Sequence, residues 1–287
     1  MLNRISSVIL IAGLIGSCDN QKEAKEGNQK VIANEPPSDS INWVLKKQIT
    51  LEGISPVGLA LDGENLWLAD TDNNRLVKTD LDGNVLERIP NIQRPMHIDF
   101  TDGKLYITEY LTDTISYFRE GKKWQSRYDM QFDAPAGISA VGITEAVADF
   151  YNHRIILKEG DKEIIIGKKG YGKGGLFYPT DVKLYQGKVY VADAYNNRMQ
   201  VFDREGNSLL ILGKKEKIKV ATGIEVAGDH IFITDFERNR VLIYSLEGEL
   251  KQILIESFDK PADVLVDGNL MYVANYGGGT ISVIEKK

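Results

Sequence analysis

The chain has 287 residues, 43% of them hydrophobic, and a formal net charge of −6. A chain of this size and hydrophobic content can bury a large core. An acidic balance disfavours nucleic acid as the main partner, because a basic surface normally supplies most of the affinity for phosphate backbones. We therefore expect one folded domain and no nucleic-acid partner.

Residues 1–17 are predicted to form a signal peptide. Arg4 is the only charge before an apolar run at residues 8–15, which leads to Cys18, the one cysteine of the chain. This run is shorter than the roughly 20 residues that a spanning helix needs. Small residues before a lone cysteine resemble a bacterial lipoprotein signal, in which the cysteine thiol receives the lipid. We predict lipidation of Cys18; an ordinary secretory signal with an incidental cysteine is the alternative.

Residues 18–41 are predicted to be a disordered tether, because the segment is polar and contains a Pro36-Pro37 pair. About 22 residues of random coil reach roughly 25 Å, enough to clear a lipid headgroup layer. Asp19 resembles an inner-membrane retention signal, whereas Gln21, Lys22 and Glu23 resemble export signals of surface lipoproteins. We expect a lipid anchor in the bacterial cell envelope, with the outer membrane, including its surface, favoured over the inner membrane.

Residues 42–287 contain a sixfold repeat. Each repeat has a first anchor that opens an apolar strand and, twelve positions later, a second anchor that ends another strand. The first anchors are Gly58, His97, Gly137, Asp181, Gly223 and Asp263; the second anchors are Asp70, Glu109, Asp149, Asp193, Asp235 and Asn275. A period near forty with alternating apolar strands and tight turns predicts propeller blades of four strands.

The predicted fold is therefore all-β, a six-bladed β-propeller of four-stranded antiparallel blades. The sixth repeat contains only three strands before its last residues, whereas residues 43–51 form a strand-like stretch before the first anchor. Pairing this N-terminal strand with the C-terminal blade would close the ring and remove its free edges.

The repeats resemble the NHL repeat family, whose pattern is Pro-x-Gly/Asp-Val, then Ala-Asp, then Asn-x-Arg-Ile/Val. The fourth repeat matches best, with Pro-Thr-Asp-Val at 179–182, Ala-Asp at 192–193 and Asn-Asn-Arg-Met at 196–199. The resemblance covers about residues 43–285 and implies the propeller fold. It does not imply one activity, because NHL repeat proteins include RNA binders, sensor domains, interaction platforms and a lyase.

Four second anchors have an arginine five residues later, which predicts a charge-assisted pair that holds the loop between the second and third strands. The second and sixth repeats depart from this rule, with Glu109 before Thr114 and Asn275 before Thr280. Departures from a repeat are candidate functional positions. We therefore predict one off-centre ligand site formed by Glu109, Tyr110, Asn275, Tyr276 and His97, with drift in exposed blades as the alternative.

The residue after the second anchor is aromatic in four repeats. Strand direction puts these rings on the face formed by the loops between strands two and three and between consecutive blades, which we call the top face. Aromatic rings suit ligand binding, although packing between blades is an alternative. The candidate ligand-binding aromatics are Tyr110, Phe150, Tyr151, Tyr195, Phe236 and Tyr276.

The first anchors that are not glycine fall in alternate blades and should converge on the channel. They are His97, Asp181 and Asp263, a set that could hold a divalent metal and activate a bound water. Alternatively, the two aspartates accept backbone amides at the start of the first strand. We expect no cofactor, and treat a divalent metal as the lesser alternative.

Two other signals argue against specific activities. The amidating lyase with a six-bladed fold uses several zinc histidines, whereas His97, His153 and His230 lie on different loops and strands here. Residues 167–173 match the first seven positions of a phosphate-binding loop, but Gly174 takes the Ser/Thr position and no helix is predicted to follow. Seven lysines in this loop and the next form a solvated rim or a docking site for an anionic partner.

We predict a monomeric, lipid-anchored envelope module that binds a protein, peptide or glycan on its top face. The alternative is a metal-dependent lyase or hydrolase with its site at the channel mouth.

Overall fold

A computed structural model describes residues 41–287, which form an all-β fold with 26 strands and three short 3-10 turns, and without an α-helix in that range. The predicted signal peptide, Cys18 and the predicted tether up to residue 40 lie outside the described residues. Within residues 41–287, no helix is long and apolar enough to span a membrane.

Six four-stranded antiparallel sheets form the blades, which confirms the predicted architecture. After β1 (Trp43–Thr50), blade 1 consists of β2 (Pro56–Asp62), β3 (Asn65–Asp70), β4 (Arg75–Asp80) and β5 (Val85–Pro90). Blade 2 consists of β6 (Pro95–Thr101), β7 (Lys104–Glu109), β8 (Thr114–Arg119) and β9 (Lys122–Gln125). Blade 3 consists of β10 (Pro135–Val141), β11 (Thr144–Asp149), β12 (Arg154–Glu159) and β13 (Lys162–Ile166).

A parallel pair of two-residue strands, β14 (Lys168–Lys169) and β15 (Gly175–Leu176), lies between blades 3 and 4. Blade 4 consists of β16 (Pro179–Tyr185), β17 (Lys188–Asp193), β18 (Arg198–Phe202) and β19 (Ser208–Leu212). Blade 5 consists of β20 (Ala221–Ala227), β21 (His230–Asp235), β22 (Arg240–Ser245) and β23 (Leu250–Leu254). Blade 6 contains β24 (Pro261–Asp267), β25 (Leu270–Asn275) and β26 (Thr280–Lys286).

The ring closes as the sequence predicts. Strand β1 pairs antiparallel with β26 from Trp43↔Lys286 to Thr50↔Thr280, so it is the fourth strand of blade 6. The innermost strands β2, β6, β10, β16, β20 and β24 contact one another around the ring, including β2 with β24. Because β1 and β26 come from opposite ends of the domain, their pairing holds the two ends together.

The hydrophobic core lies between the blades. Each of the six junctions has its own cluster of buried apolar residues, and each cluster combines side chains from the two facing sheets. The second strand of each blade is almost entirely buried, as in β21, because it is covered on both faces. One small sheet cannot bury both its faces alone, so the blades are stable only in the closed ring.

The second anchors hold the loops of the top face, which explains the constant offset of twelve residues. In all six blades the side chain of the second anchor accepts a backbone N–H from the loop that enters its own blade, as from Ser55 to Asp70 and from Phe177 to Asp193. The four predicted acid–arginine pairs are confirmed, with Nε–Oδ2 distances of 2.5–2.9 Å. In these four blades, each pair joins the end of the second strand to the start of the third.

A second contact links each blade to the next. The residue before the third strand has a left-handed backbone, and in four blades its side chain accepts the N–H of the residue preceding the next blade's first proline. The acceptors are Asn74, Asp113, His153 and Asn239. His153, which replaces the usual asparagine, therefore has a structural contact through Nδ1, 3.0 Å from the Tyr178 nitrogen.

This contact makes stability sensitive to the protonation of His153. Burial, with the nearby Lys169 charge, lowers the pKa of His153, and protonation of Nδ1 would abolish its acceptor role. Because the pKa of His153 is lower in the folded than in the unfolded chain, neutral His153 stabilises the fold above about pH 6.5. This stabilisation is lost as pH falls through the folded pKa. We expect the free energy of unfolding of His153→Asn to equal that of the wild type at pH 7.5. Between pH 6.5 and pH 5 it should depend less steeply on pH, and the difference in slope should correspond to less than one bound proton.

Denaturant titrations across this pH range check the prediction, since asparagine makes the same contact in two other blades. Parallel pH curves for the wild type and the variant would show that His153 does not titrate in the contact.

Candidate functional site

The first anchors form the inner wall of the channel. In every blade a β-bulge in the first strand falls at or beside the first anchor. Bulges re-aim side chains, which fits their placement beside residues that point into a narrow channel.

Close packing explains why glycine alternates with larger residues. A Cβ on Gly58 would lie 2.8 Å from His97 Cα, and a Cβ on Gly137 would lie 2.6 Å from Asp181 Cα. The third glycine, Gly223, stands in the same relation to Asp263, at 2.6 Å. The ring is therefore three glycine–partner pairs, and each glycine makes room for the polar residue of the next blade.

The three polar first anchors come together in the channel. His97 Nδ1 lies 3.4 Å from Asp263 Oδ2 and 3.8 Å from Asp181 Oδ2, and one donor atom from each residue lies within 4.8 Å of the others. All three side chains are buried, and His97 Nδ1 has no hydrogen-bond partner. The structure thus groups the residues as the sequence predicts, while metal binding stays a prediction.

Burial and mutual charge perturb this cluster. Burial disfavours the charged form of His97, but Asp181 and Asp263 outweigh burial and raise the pKa of His97 to about 9. Burial raises the pKa of Asp181 to about 7, with His97 opposing and Asp263 adding to the rise. Without a cation, an imidazolium therefore offsets the carboxylate charge.

The aspartates also accept backbone amides, as the alternative interpretation predicts. Asp263 accepts N–H groups from Val264 and, across the blade junction, from Leu59, both at 2.8 Å. Asp181 does the same with Val182 and Ile224, also at 2.8 Å. Each carboxylate is thus fixed by its own strand and by the neighbouring one.

A second layer of charge, not found from the sequence, lies directly beside the first. Lys183 Nζ contacts Glu225 Oε2 at 3.1 Å, and Asp99 Oδ2 accepts the Ala140 N–H at 2.7 Å. Burial lowers the pKa of Lys183, whose side chain is 25% exposed, but the charges of Glu225 and Asp99 outweigh burial and raise the pKa. These residues lie two positions after first anchors, so the two-residue period of a strand was the signal that could have found them.

The space between the two layers is small. The cavity lined by His97, Asp181, Asp263 and the second layer measures about 20 Å³. This is room for about one water molecule or one bare ion. The channel centre can therefore hold a single small species but not an organic substrate.

The two unusual second anchors are scaffold residues in this structure. Glu109 is buried, accepts the Ser116 hydroxyl at 2.5 Å and pairs with Lys123 at 2.7 Å. Asn275 is also buried and donates to Ser282 Oγ at 2.9 Å. Local partners replace the missing arginines in these two blades, and the off-centre ligand site stays a prediction.

Seven aromatic residues in the top-face loops of blades 2–4 form one connected group, which we call the aromatic cluster. It comprises Tyr110, Phe150, Tyr151, Tyr171, Phe177, Tyr178 and Tyr195, with ring centroids 4.6–6.4 Å apart. Tyr110 and Phe150 are buried across the junction of blades 2 and 3, as the packing alternative predicts. Tyr151, Tyr178 and Tyr195 are partly exposed, and Tyr171 is 70% exposed.

The remaining aromatic candidates lie elsewhere. Phe236 is buried and contacts the partly exposed Tyr276 at 6.2 Å, and Lys260 Nζ lies over the Phe236 ring at 5.4 Å. The sequence analysis missed Tyr171, Phe177 and Tyr178 as binding candidates. Their position in the chain could have identified them, because the loop that enters a blade lies on the same face as the loops between the second and third strands.

Exposed lysines border the aromatic cluster. All seven lysines of the two loops that enter blades 4 and 5 are exposed, namely Lys168, Lys169, Lys173, Lys214, Lys215, Lys217 and Lys219. Lys169 Nζ lies 5.7 Å from the Phe177 ring centroid, so the basic rim and the aromatic cluster are in contact. Residues 167–174 contain β14 and the turn that leads into β15, and strand β16 rather than a helix follows β15, so this segment is not a phosphate-binding loop.

The fold and the buried channel define the described chain as a six-bladed β-propeller. No protein-family model and no curated protein matches the sequence.

Solved structures similar to the chain include virginiamycin B lyase from Staphylococcus aureus, with 15% identity and a TM-score of 0.63 over 85% of this chain and 99% of that one. A streptogramin B lyase has 11% identity and a TM-score of 0.65 over 86% and 98%. The WD40 β-propeller domain of Doa1 has 16% identity and a TM-score of 0.62 over 80% and 78%. At these identities the likeness concerns the fold alone.

Proposed function

We propose that the protein is a lipid-anchored envelope module that binds a protein, peptide or glycan on the top face of blades 2–4, without catalysing a reaction. Within that set, a protein segment bearing acidic residues fits best. The main observation that supports this proposal is the aromatic cluster, in which partly exposed tyrosines lie beside seven exposed lysines.

The geometry of the rings favours a peptide over a sugar. Phe150–Tyr151, Tyr151–Tyr178 and Phe177–Tyr195 pack edge to face, with interplanar angles of 80–86°. Such packing gives an uneven apolar surface rather than one flat platform on which a sugar ring stacks. Tyrosine also supplies a hydrogen-bonding hydroxyl and contact area with little loss of side-chain entropy.

The lysine rim supplies the complementary charge. The chain as a whole is acidic, so seven exposed lysines on adjacent loops form a local positive region on a negative background. A segment with acidic and apolar residues would be attracted to the rim and would bury its apolar side chains against the rings.

We also propose membership of the NHL repeat class and lipidation at Cys18. The class is supported by the four acid–arginine pairs and by the first-strand prolines of five blades. The anchor is supported by the sequence around Cys18. An outer-membrane location would place the aromatic cluster within reach of other envelope proteins.

The rival proposal, a metal-dependent lyase or hydrolase, finds less support. Two similar structures bear the name lyase. Here, however, His97 is buried and the adjoining cavity of about 20 Å³ has no room for a substrate. The Nδ1 atoms of His153 and His230 are engaged elsewhere, with the Tyr178 N–H and with Asp229. We therefore favour binding over catalysis.

Site-specific photocrosslinking in cells that express the full chain tests the proposal. A crosslinking residue in place of Tyr171 is expected to give one discrete product. The same residue at Ile143, which is 75% exposed in the turn between β10 and β11, should give none. Tyr195→Ala should reduce the crosslinked product from position 171 at least tenfold, with little change in melting temperature. Replacing Lys168, Lys169 and Lys173 with glutamate should also reduce this product.

The nature of the product distinguishes the partners. A crosslinked product that protease digests supports a protein segment as the partner. A product that only glycosidase removes would instead identify the partner as a glycan. Equal labelling from Tyr171 and Ile143 would overturn the top-face proposal. Cys18→Ser is expected to move the chain from the membrane to the soluble fraction, and unchanged fractionation would contradict the anchor.

A further inference from the structure

We propose that His97, Asp181 and Asp263 bind one divalent transition cation, such as Zn²⁺, as a structural ion in the propeller channel. The ion would connect blades 2, 4 and 6. This inference does not depend on the proposed binding function, since the cluster is buried in the channel whereas the tyrosines reach the surface.

The spacing of the donor atoms suits a single ion. Two donors that bind one cation at roughly 2.1–2.4 Å can lie no more than roughly 4.2–4.8 Å apart. One donor atom from each of the three residues meets this limit, since all lie within 4.8 Å of one another. The histidine nitrogen is 3.4 and 3.8 Å from the two carboxylate oxygens.

One buried nitrogen has no well-formed hydrogen bond. Among the described residues, the nearest acceptor to His97 Nδ1 is Asp263 Oδ2 at 3.4 Å, and no contact of this atom has hydrogen-bond geometry, although buried polar atoms nearly always make hydrogen bonds. The carboxylate oxygens nearest to it, Asp181 Oδ2 and Asp263 Oδ2, each accept one backbone amide. A carboxylate oxygen can accept a second partner, so one lone pair on each remains for a cation.

The carboxylates are held in place before any ion binds. Each accepts two backbone N–H groups at 2.8 Å, one from its own blade and one from the next. Such outer contacts orient metal ligands in proteins. Gly137 and Gly223 back Asp181 and Asp263 so closely that a Cβ would not fit. The arrangement is therefore rigid enough to select an ion by distance.

The charge in the channel also favours a cation. The two layers contain four carboxyl groups, of which Asp181, Glu225 and Asp263 are buried and Asp99 is partly exposed. Among residues 41–287, the cations that line this cavity are Lys183, which pairs with Glu225, and the His97 imidazolium. Unpaired carboxylates are costly to bury, so a divalent ion that replaces the imidazolium proton would offset more of this negative charge.

The donor types select among ions. One imidazole nitrogen and two carboxylate oxygens suit zinc, manganese or iron better than Ca²⁺ or Mg²⁺, which prefer oxygen alone. Three protein donors leave a zinc ion one ligand short of four, and the second oxygen of one carboxylate or a water would complete the set. The cavity leaves no room for an organic substrate beside the ion, so the role assigned is structural.

Zinc titration of the full chain by calorimetry, after chelator treatment and chelator removal, tests the proposal. We expect one equivalent per chain and a melting temperature raised by about 5–10 °C when free Zn²⁺ is 100 times Kd. His97→Gln should lose both effects. His230→Gln removes a histidine whose Nδ1 pairs with Asp229, and this control should retain both.

A measurement on the wild type keeps the test decisive if His97→Gln does not fold. Co²⁺ added to the chelated wild type should give a visible absorption spectrum that saturates at one equivalent and is abolished by Zn²⁺. Failure to bind stoichiometric zinc, with an unchanged melt, would overturn the proposal and leave a proton-sharing cluster. Binding that persists in His97→Gln but is lost in His230→Gln would overturn it too.

Discussion

Replacing Arg198 with alanine is expected to lower the free energy of unfolding by about 3–5 kcal/mol, the range for removing one partner of a buried ion pair. Arg198 is the most buried of the arginines that pair with second anchors, at 1% side-chain exposure. Its guanidinium binds Asp193 at 2.7 Å and donates to the carbonyls of Tyr171, Gly172 and Gly175. Truncation would leave the buried Asp193 carboxylate without its charged partner and would remove one donor from each of the three carbonyls.

Arg75 is the matched control, because it makes the same pair with Asp70 in blade 1 but its side chain is 25% exposed. Water can replace part of its contacts, so Arg75→Ala should cost less than half as much as Arg198→Ala. Urea unfolding at pH 7 measures both. Equal losses would show that burial of the guanidinium does not determine the strength of these pairs.

Arg198 also connects stability to the proposed binding surface. Three of its hydrogen bonds hold the loop at residues 171–175, which carries the exposed Tyr171. The same variant is therefore expected to loosen this loop before the whole domain unfolds. Faster hydrogen exchange in residues 168–176 at low denaturant would report that local opening.

The sequence predicts most of the fold because each blade repeats the same physical solution. The distance from Pro56 to Asp70 is fixed by a bulge, two paired strands and a two-residue turn, and Asp70 must reach back to the Ser55 amide. An insertion in either strand would break that contact. The constant offset of twelve residues thus follows from one hydrogen bond repeated six times.

The interior of the channel was only partly predictable. His97 departs from the glycine or aspartate that the repeat has at this position, and Asp181 and Asp263 are visible as the carboxylates among these first anchors. Lys183 and Glu225 occupy a strand position that is polar or apolar in other blades, so the repeat gives no reason to select them. Their pairing depends on how closely the neighbouring first strands of blades 4 and 5, β16 and β20, approach each other, which the pattern of a single repeat does not give.

The aromatic cluster shows a second limit. Tyr151 and Tyr195 follow second anchors and could be aligned from repeat to repeat, but Tyr171 and Phe177 lie in the one entry loop with its own strand pair, β14 and β15. This loop is longer than the corresponding loops and has no counterpart against which to align it. Comparing the repeats of one chain thus identifies geometry that recurs in every blade, but it does not identify a surface formed by an irregular loop.

The ring closure itself provides the second large prediction, in Trp43→Ala. We expect a loss of about 3–5 kcal/mol in the free energy of unfolding, the range for removing a large buried aromatic side chain. Trp43 is 3% exposed and packs edge to face on Phe232 of blade 5, with ring centroids 5.7 Å apart. Its backbone N–H and C=O both bind the Gln252 side chain at 2.9 Å.

The position of Trp43 makes the effect larger than its packing alone. It begins β1, the strand that completes blade 6, and it joins that strand to blade 5 through Phe232 and Gln252. Without the indole, β1 should detach from β26 more readily and expose a free sheet edge. Hydrogen exchange should therefore accelerate in β26 before it does so in blades 2 and 3.

Leu45 is the control for this prediction, since it lies in the same strand but is 41% exposed. Leu45→Ala removes less buried area and should cost less than about 1 kcal/mol. If Trp43→Ala cost no more than Leu45→Ala, then backbone pairing between β1 and β26 would suffice to close the ring. A larger loss of unfolding free energy for Trp43→Ala, with accelerated hydrogen exchange concentrated in β26, would show that the contact between blades 5 and 6 stabilises the ring closure.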